Sequence, residues 1–346
     1  MTAETASKVE VIVDKEDVVT ALTVTVPADR CHDFTPGSYY FLNIPSISSV
    51  EWHPISLSEQ QECKLTFHVK SMADGAWSHK LSALAHAHAN TKANLLPTVA
   101  MDGPFGCLSV DLTRYSSLCL FCGGIGVTPL LPTLEHVLRL KSAGGLPRLT
   151  KVTFCWSVRG TGLLTSDAFH SRLVSAIKCS RDMIHSTSPA ARSSDSKNAS
   201  AAVSPTSSGE PTFALEMVIH NTGGDTYKPP ATTTNASTNT TAVVAVPESP
   251  PEEGKSKGKN HKGHKKHHQE VVEGVSAHNP PQDASLSVQS GRPALGSIIS
   301  AAAEVAAKSK GLTCALVCGP AGLAKGVMDA AGVHNNVHVH QETFGY

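Results

Sequence analysis

The most constraining feature of the sequence is an apolar run, Leu118–Cys122, that breaks into Gly123-Gly124-Ile125-Gly126-Val127-Thr128-Pro129. A short continuous apolar stretch reads as a strand buried on both faces, and the glycines after it as a tight turn into a helix, Pro129–Leu140. Such a turn lets backbone approach a ligand, and the helix start adds free N–H groups and partial positive charge. A pyrophosphate suits that arrangement; an ordinary strand-to-helix turn is the plainer alternative. The alternation continues with strand Val152–Ser157, helix Ser166–Ile177, strand Phe213–His220, helix Ala294–Ala307, strand Cys314–Cys318, helix Ala321–Ala330 and strand Val337–Gln341. Apolar strands alternating with helices predict a parallel sheet covered on both faces.

Before Tyr115 the texture differs. Val9–Val13, Val18–Val26, Tyr39–Ile44, Pro54–Ser58 and Leu65–Val69 are short β-rich runs, and Trp77 to about Ala89 is the one helical pattern. Pro36-Gly37 and Met101-Asp102-Gly103-Pro104 read as punctuation. Many strands with a single helix predict a small antiparallel β-barrel. The expected organisation is therefore a barrel domain over 1–115 and an α/β domain over 116–346. Two Ser/Thr/Pro/Ala/Lys-rich stretches, at about 181–211 and 228–290, are too polar to bury a core and are expected as disordered insertions.

Composition narrows the functional classes. The 346 residues carry 29 basic and 29 acidic side chains, which argues against a surface built on nucleic-acid phosphate contacts. No apolar run reaches the roughly 18–20 residues of a membrane span, and the N-terminus lacks a secretory pattern. Nine cysteines, an odd number lying mostly in apolar runs, read as reduced thiols of a cytosolic protein. Cys119, Cys122, Cys314 and Cys318 invite a zinc site, but residues three apart on a strand face opposite sides. The six lysines and four histidines of Lys255–His268 read as a solvated loop rather than a metal or anionic-lipid site.

Several residues add chemistry to the glycine turn. Cys318-Gly319-Pro320 ends a second apolar strand and opens a second helix, which puts it at the same carboxyl edge of the sheet, where ligands bind. Arg159, just past its strand, can pair with a phosphate there, helped by the Ser157 hydroxyl. Thr128 and Pro129 open the first helix, with Thr128 able to donate to phosphate or ribose. In the barrel, His53 and Ser56 belong to Glu51-Trp52-His53-Pro54-Ile55-Ser56, His68 and Lys70 share one strand face, and Gly75-Ala76-Trp77-Ser78 opens the helix. A ligand with a diphosphate and a flat ring system would use all three.

Together these segments resemble the dehydrogenase domain of the ferric reductase and NADPH oxidase family, within the ferredoxin-reductase-like flavoproteins. Pro36-Gly37-Ser38-Tyr39-Tyr40 with Glu51–Ser56 resembles the flavin segment E-W-H-P-F-[ST], and Met101–Gly106 the D-G-P-[FY]-G hinge. The glycine turn, Gly291-Arg292-Pro293, Leu316–Pro320 and the tail Glu342-Thr343-Phe344-Gly345-Tyr346 follow in the family's order. The resemblance covers nearly all of the chain outside the insertions.

It implies two cofactors, FAD on the barrel and NADPH on the sheet. His53, Pro54, Ile55 and Ser56 would line FAD, with Ser56 near the reactive flavin nitrogen; His68, Lys70, Trp77 and Ser78 would hold its diphosphate. Gly124, Gly126, Thr128, Pro129 and Gly319 would cradle NADPH, Ser157, Arg159 and Arg292 would address its adenosine end, and Cys318 would sit beside the nicotinamide. Phe344 would stack on the flavin, with Tyr346 as its rival. This sequence departs from the family pattern at Ile55, where an aromatic is usual, and at Lys70, where arginine is usual. The family's membrane helices and haem-ligating histidines are not within the 346 residues, so a membrane haem domain is the implied partner if the chain is a fragment, at a membrane's cytosolic face. The implied activity is hydride transfer from NADPH to FAD and single-electron delivery through haem to ferric iron. The alternatives are the superoxide-producing oxidase branch, a soluble flavin reductase, and a degenerate flavodomain that serves as an interaction module.

Overall fold

The computed structural model describes residues 2–14, 17–90, 96–186, 213–224 and 288–342. Most of the expected insertions, with the Lys/His-rich segment, lie outside the described residues, as do Phe344 and Tyr346. The first part is a closed six-stranded antiparallel barrel of order β1-β2-β5-β4-β3-β6. Its strands are β1 (Thr2–Asp14), β2 (Asp17–Thr25), β3 (Tyr39–Asn43), β4 (His53–Gln61), β5 (Lys64–Lys70) and β6 (Thr98–Phe105). Alternation drives it: Leu22 and Val24 of β2 and Leu65, Phe67 and Val69 of β5 are buried inside, while their neighbours face outward. Helix α1 (Trp77–Asn90) adds Trp77 and Leu81 to that core.

Two expectations are corrected here. The Met101–Pro104 stretch is part of strand β6, which closes the barrel by pairing with both β1 and β3. Gly103 and Pro104 fit because the β3–β6 ladder shifts register nearby, which relieves a strand of the donor that proline lacks. The nine cysteines are not all thiols either, since Cys31 and Cys63 form a disulfide with Cα atoms 5.3 Å apart. The pair is 32 residues apart in sequence and meets because the β2–β3 connection lies over the β4–β5 turn.

The second part is a six-stranded parallel sheet of order β10-β9-β8-β7-β11-β12. It comprises β7 (Tyr115–Gly123), β8 (Lys151–Val158), β9 (Ala214–Asn221), β10 (Val288–Ser290), β11 (Leu312–Cys318) and β12 (Val337–Glu342). The central strand β7 is buried along its whole length. Leu118, Leu120 and Cys122 pack with α2 (Val127–Ser142), α3 (Gly162–Thr165) and α4 (Asp167–Ser186), whereas Cys119 and Phe121 pack with α5 (Leu295–Lys308) and α6 (Ala321–Ala331). Cys119 and Cys122 thus face opposite layers. The expected insertions are shorter at their outer ends: α4 runs on to Ser186, and residues 288–290 pair in parallel with β9. Amphipathic spacing carries the helix past Ile177, and a three-residue strand is below what composition reveals.

Barrel and sheet are joined by buried polar contacts. Asp14 Oδ1 accepts a 2.8 Å hydrogen bond from the Gly162 backbone N–H, and burial pushes the Asp14 carboxyl upward against the pull of three such N–H groups. A Cβ on Gly162 would collide with the Val13 carbonyl and lie 3.0 Å from the Asp14 Cα. Gly162→Ala is therefore expected to lower stability by about 1–3 kcal/mol, the usual cost of forcing atoms into filled space. Denaturant unfolding reads the change, and an unaltered midpoint would contradict this packing.

Candidate active site

Strand order puts the ends of β7 and β11 side by side, and their two glycine turns touch. Cys122 and Cys318 are register partners, and a Cβ on Gly126 would collide with the Cys318 carbonyl. Gly124 differs: its φ is +52° and no atom lies within 4 Å of a Cβ placed there, so it borders open space. That space is a cavity of about 680 Å³ lined by the turn from Gly123 to Gly126, by Ser157, Arg159 and Arg292, and by Gly319 and Pro320. The Ser157 hydroxyl oxygen is buried with no hydrogen-bond partner among the described residues, an orphan that a bound nucleotide would satisfy. Trp156 Nε1 donates to the Gly124 carbonyl at 2.8 Å and fixes the turn from below.

The cavity also holds residues that sequence reading missed or placed elsewhere. Asp17 lies 2.8 Å from Lys70 Nζ and 3.8 Å from the Arg159 guanidinium. Lys70 lines this cavity, apart from Trp77 and Ser78. Thr128 is buried and its hydroxyl donates to the Ile125 carbonyl at 3.0 Å, so its side chain caps the turn rather than facing the cavity.

A second cavity, about 400 Å³, opens between barrel and sheet. Tyr39, Phe41, Pro54 and Ser56 form the barrel wall, and Pro129, Cys318 and Glu342 the sheet wall. Tyr39 and Phe41 meet edge to face at 5.7 Å, and both contact Phe105. An apolar slot with a few polar groups suits a flat ring system. Burial, reinforced by Glu342, pushes the Cys318 thiol up to about 12, so this wall carries a neutral S–H. Glu342, which the sequence reading did not single out, bonds His340 at 3.1 Å. Its position follows from pairing, since Glu342 is the register partner of Cys318 on β12. Cys318 lines this cavity and Gly319 the other, so the two meet across one peptide unit.

The strand period divides the flavin segment. Pro54 and Ser56 face the slot, while Ile55 packs toward the barrel core. His53 stacks on Trp77 with ring centroids 4.3 Å apart, and burial holds its pKa below the ordinary histidine value. Both His53 Nε2 and Trp77 Nε1 are buried without hydrogen-bond partners among the described residues, on the face of β4 turned away from the slot. The Ser78 hydroxyl accepts from the Met72 N–H at 3.1 Å. His68 is elsewhere: it is buried on the outer face of β5 against Phe169 and Arg172, where helix α4 covers it. His68 borders, with Arg172, a cavity of about 490 Å³ between β5 and α4, and lines neither the glycine-turn cavity nor the slot.

Two family models match this chain. The model described as "Ferric reductase NAD binding domain" matches residues 115–331, and the one described as "FAD-binding domain" matches residues 3–109. Ferric reduction oxidase 8, mitochondrial, of Arabidopsis thaliana is 36% identical over 128 residues, 35% of this chain and 17% of that protein. NADPH oxidase 3 of Rattus norvegicus is 38% identical over 134 residues, 38% of this chain and 23% of that protein. Each match spans less than a quarter of the relative's length. The crystal structure of full-length CYP116B46 from Tepidiphilus thermophilus aligns over all of this chain and 29% of its own, with a TM-score of 0.50 at 13% identity, a likeness of fold alone. Among the described residues no helix is long and apolar enough to cross a membrane. With both cofactor domains matched in order, the chain belongs to the ferric reductase and NADPH oxidase family, as its FAD- and NADPH-binding dehydrogenase part.

Proposed function

We propose that this chain takes hydride from NADPH onto FAD and passes single electrons to a haem domain in a membrane, with ferric iron as the terminal acceptor. The observation that carries the reading is the meeting of the two cavities at Cys318 and Gly319. The glycine turns offer backbone N–H groups and helix N-termini to a diphosphate. Arg159 and Arg292 bring cationic charge to the same cavity, for an adenosine phosphate. Tyr39, Phe41 and Pro54 offer flat apolar contacts to the flavin, and Ser56 adds a hydroxyl to the same wall. Bound FAD supplies the ability to accept two electrons and release them singly. The neutral Cys318 thiol and Pro129 exclude water from the sheet wall without adding charge. The ferric branch is favoured by Gly291-Arg292-Pro293-Ala294-Leu295 and by the match to the ferric reductase model; the similarity to NADPH oxidase 3 keeps dioxygen as the second reading.

The test is spectroscopic. Purified chain reconstituted with FAD is expected to turn yellow and to bleach on anaerobic addition of NADPH. Arg159→Ala is expected to raise the NADPH concentration for half-maximal bleaching by about tenfold or more, the worth of one charge-assisted hydrogen bond, with little effect on NADH. Equal bleaching by NADH and NADPH in the unaltered chain would remove the role given to Arg159. Failure to take up FAD would remove the enzyme reading.

A further inference from the structure

Arg172 on α4 was not singled out by any pattern in the sequence, yet it joins three elements. Its Nε and Nη2 donate to the two carboxylate oxygens of Glu135 on α2, each at 2.7 Å, and its Nη1 donates to the Ser58 carbonyl of β4 at 2.9 Å. The Arg172 side chain is only 10% exposed and that of Glu135 is 39% exposed, so the cation is the shielded partner of this fork.

Each partner leads to one wall of the flavin slot. Glu135 belongs to the helix whose first turn carries Pro129. Ser58 lies two residues beyond Ser56 and is where the β4–β5 ladder slips, between Leu57 and Glu59. A bulge of this kind frees a carbonyl from the ladder and re-aims the strand beside it. The freed carbonyl is the one Arg172 takes, while the Ser58 hydroxyl accepts from the His68 N–H at 3.2 Å. One buried cation thus bolts the bulge that aims Ser56 to the helix that aims Pro129.

We propose that Arg172 is a positioning residue that sets the spacing across the flavin slot, and through it the rate of hydride transfer; the proposal rests on the NADPH-to-FAD reading above. Arginine is suited to this task because its planar fork holds a carboxylate through two bonds and keeps a third N–H for the carbonyl. Lysine retains the charge but not that three-point geometry. A loss of register across a reaction gap lowers the rate at saturating substrate, leaving affinities little changed.

The experiment compares Arg172→Met and Arg172→Lys with the unaltered chain by two measurements. The first is hydrogen exchange of the FAD-free chain, which needs no cofactor. Faster exchange is expected across residues 56–60 in Arg172→Met, with β7 and β11 unchanged. The second is single-turnover flavin reduction at saturating NADPH, expected to fall by about tenfold in Arg172→Met and to recover in part in Arg172→Lys. FAD affinity and half-saturation by NADPH should stay within about twofold. Unaltered exchange at residues 56–60, an unaltered rate per bound flavin, or a loss that follows FAD content would overturn the proposal. If the unaltered chain binds FAD but is not reduced by NADPH, the proposed function fails and not the bolt, whose exchange signature stands by itself.

Discussion

Gly126→Ala is expected to abolish most NADPH-dependent flavin reduction while leaving the barrel able to bind FAD. The backbone at Gly126 has an ordinary helical φ of −61°, so any residue can adopt the conformation. The obstacle is space. An added methyl would overlap the Cys318 carbonyl and lie 2.6 Å from its carbon and 3.0 Å from the Gly319 nitrogen, all of them backbone atoms. Backbone of a central strand cannot rotate away as a side-chain tip can, and the ladder from Thr313–Ser117 to Cys318–Cys122 holds the two strands in register. The turn from Gly124 to Gly126 must lift off β11 instead, moving the start of α2 and both cavity walls. Overpacking of this kind costs about 1–3 kcal/mol of stability, and a displacement of about 1 Å at a reacting centre costs on the order of 100-fold in rate. Gly124→Ala provides the contrast. Its φ of +52° makes any side chain strained by about 1–2 kcal/mol, but its Cβ meets nothing, so the turn stays in place and the methyl merely enters the nucleotide cavity. That variant should raise the NADPH requirement and keep the limiting rate. Thermal unfolding and single-turnover reduction separate the two; a Gly126→Ala rate within about threefold of the unaltered chain would show that the turns are not tightly coupled.

The same two glycines show how far sequence reading reaches. Leu118–Cys122 and Cys314–Cys318 were legible as central strands because burial on both faces leaves an unbroken apolar run. Their turns were legible as ligand-facing because glycine follows each strand directly. That Gly126 serves a backbone contact while Gly124 serves the cavity was not legible, since both are simply glycine until the strands are paired. Strand β6 was hidden because Gly103-Pro104 has the chemistry of a turn, and its place in the barrel comes from partners nearly a hundred residues upstream. The Cys31–Cys63 disulfide and the Arg172–Glu135–Ser58 bolt share that difficulty: each joins residues whose spacing has no local meaning. His68 and Lys70 were correctly placed on one strand face by the period of two. Which neighbour covers that face depends on helix α4, about a hundred residues further along the chain, and the two side chains end in different surroundings.

His68 therefore yields the second large effect, in which its resemblance-derived role and its structural position give opposite results. Burial, reinforced by the Arg172 charge, lowers its pKa to about 3, and neither ring nitrogen has a hydrogen-bond partner among the described residues. In the unfolded chain the imidazole titrates near its ordinary value of about 6.5. Between those values the unfolded chain binds a proton that the folded chain refuses, so stability falls as pH drops through the window, at a rate on the order of 1 kcal/mol per pH unit. Above the unfolded value the group contributes no pH dependence. His68→Leu removes both the titration and two orphaned nitrogens while filling similar space against Phe169. The variant is expected to unfold at a distinctly lower pH than the unaltered chain and to be at least as stable near neutrality, with FAD affinity preserved. Denaturant unfolding at several pH values across the window, with FAD titration of each protein, reads both quantities. A marked loss of FAD affinity in His68→Leu would return His68 to the diphosphate, and an acid transition that does not move would mean that the histidine takes its proton inside the fold. Preserved FAD binding with a shifted acid transition assigns the residue to the junction of barrel and sheet, where Ser58 and Arg172 also meet.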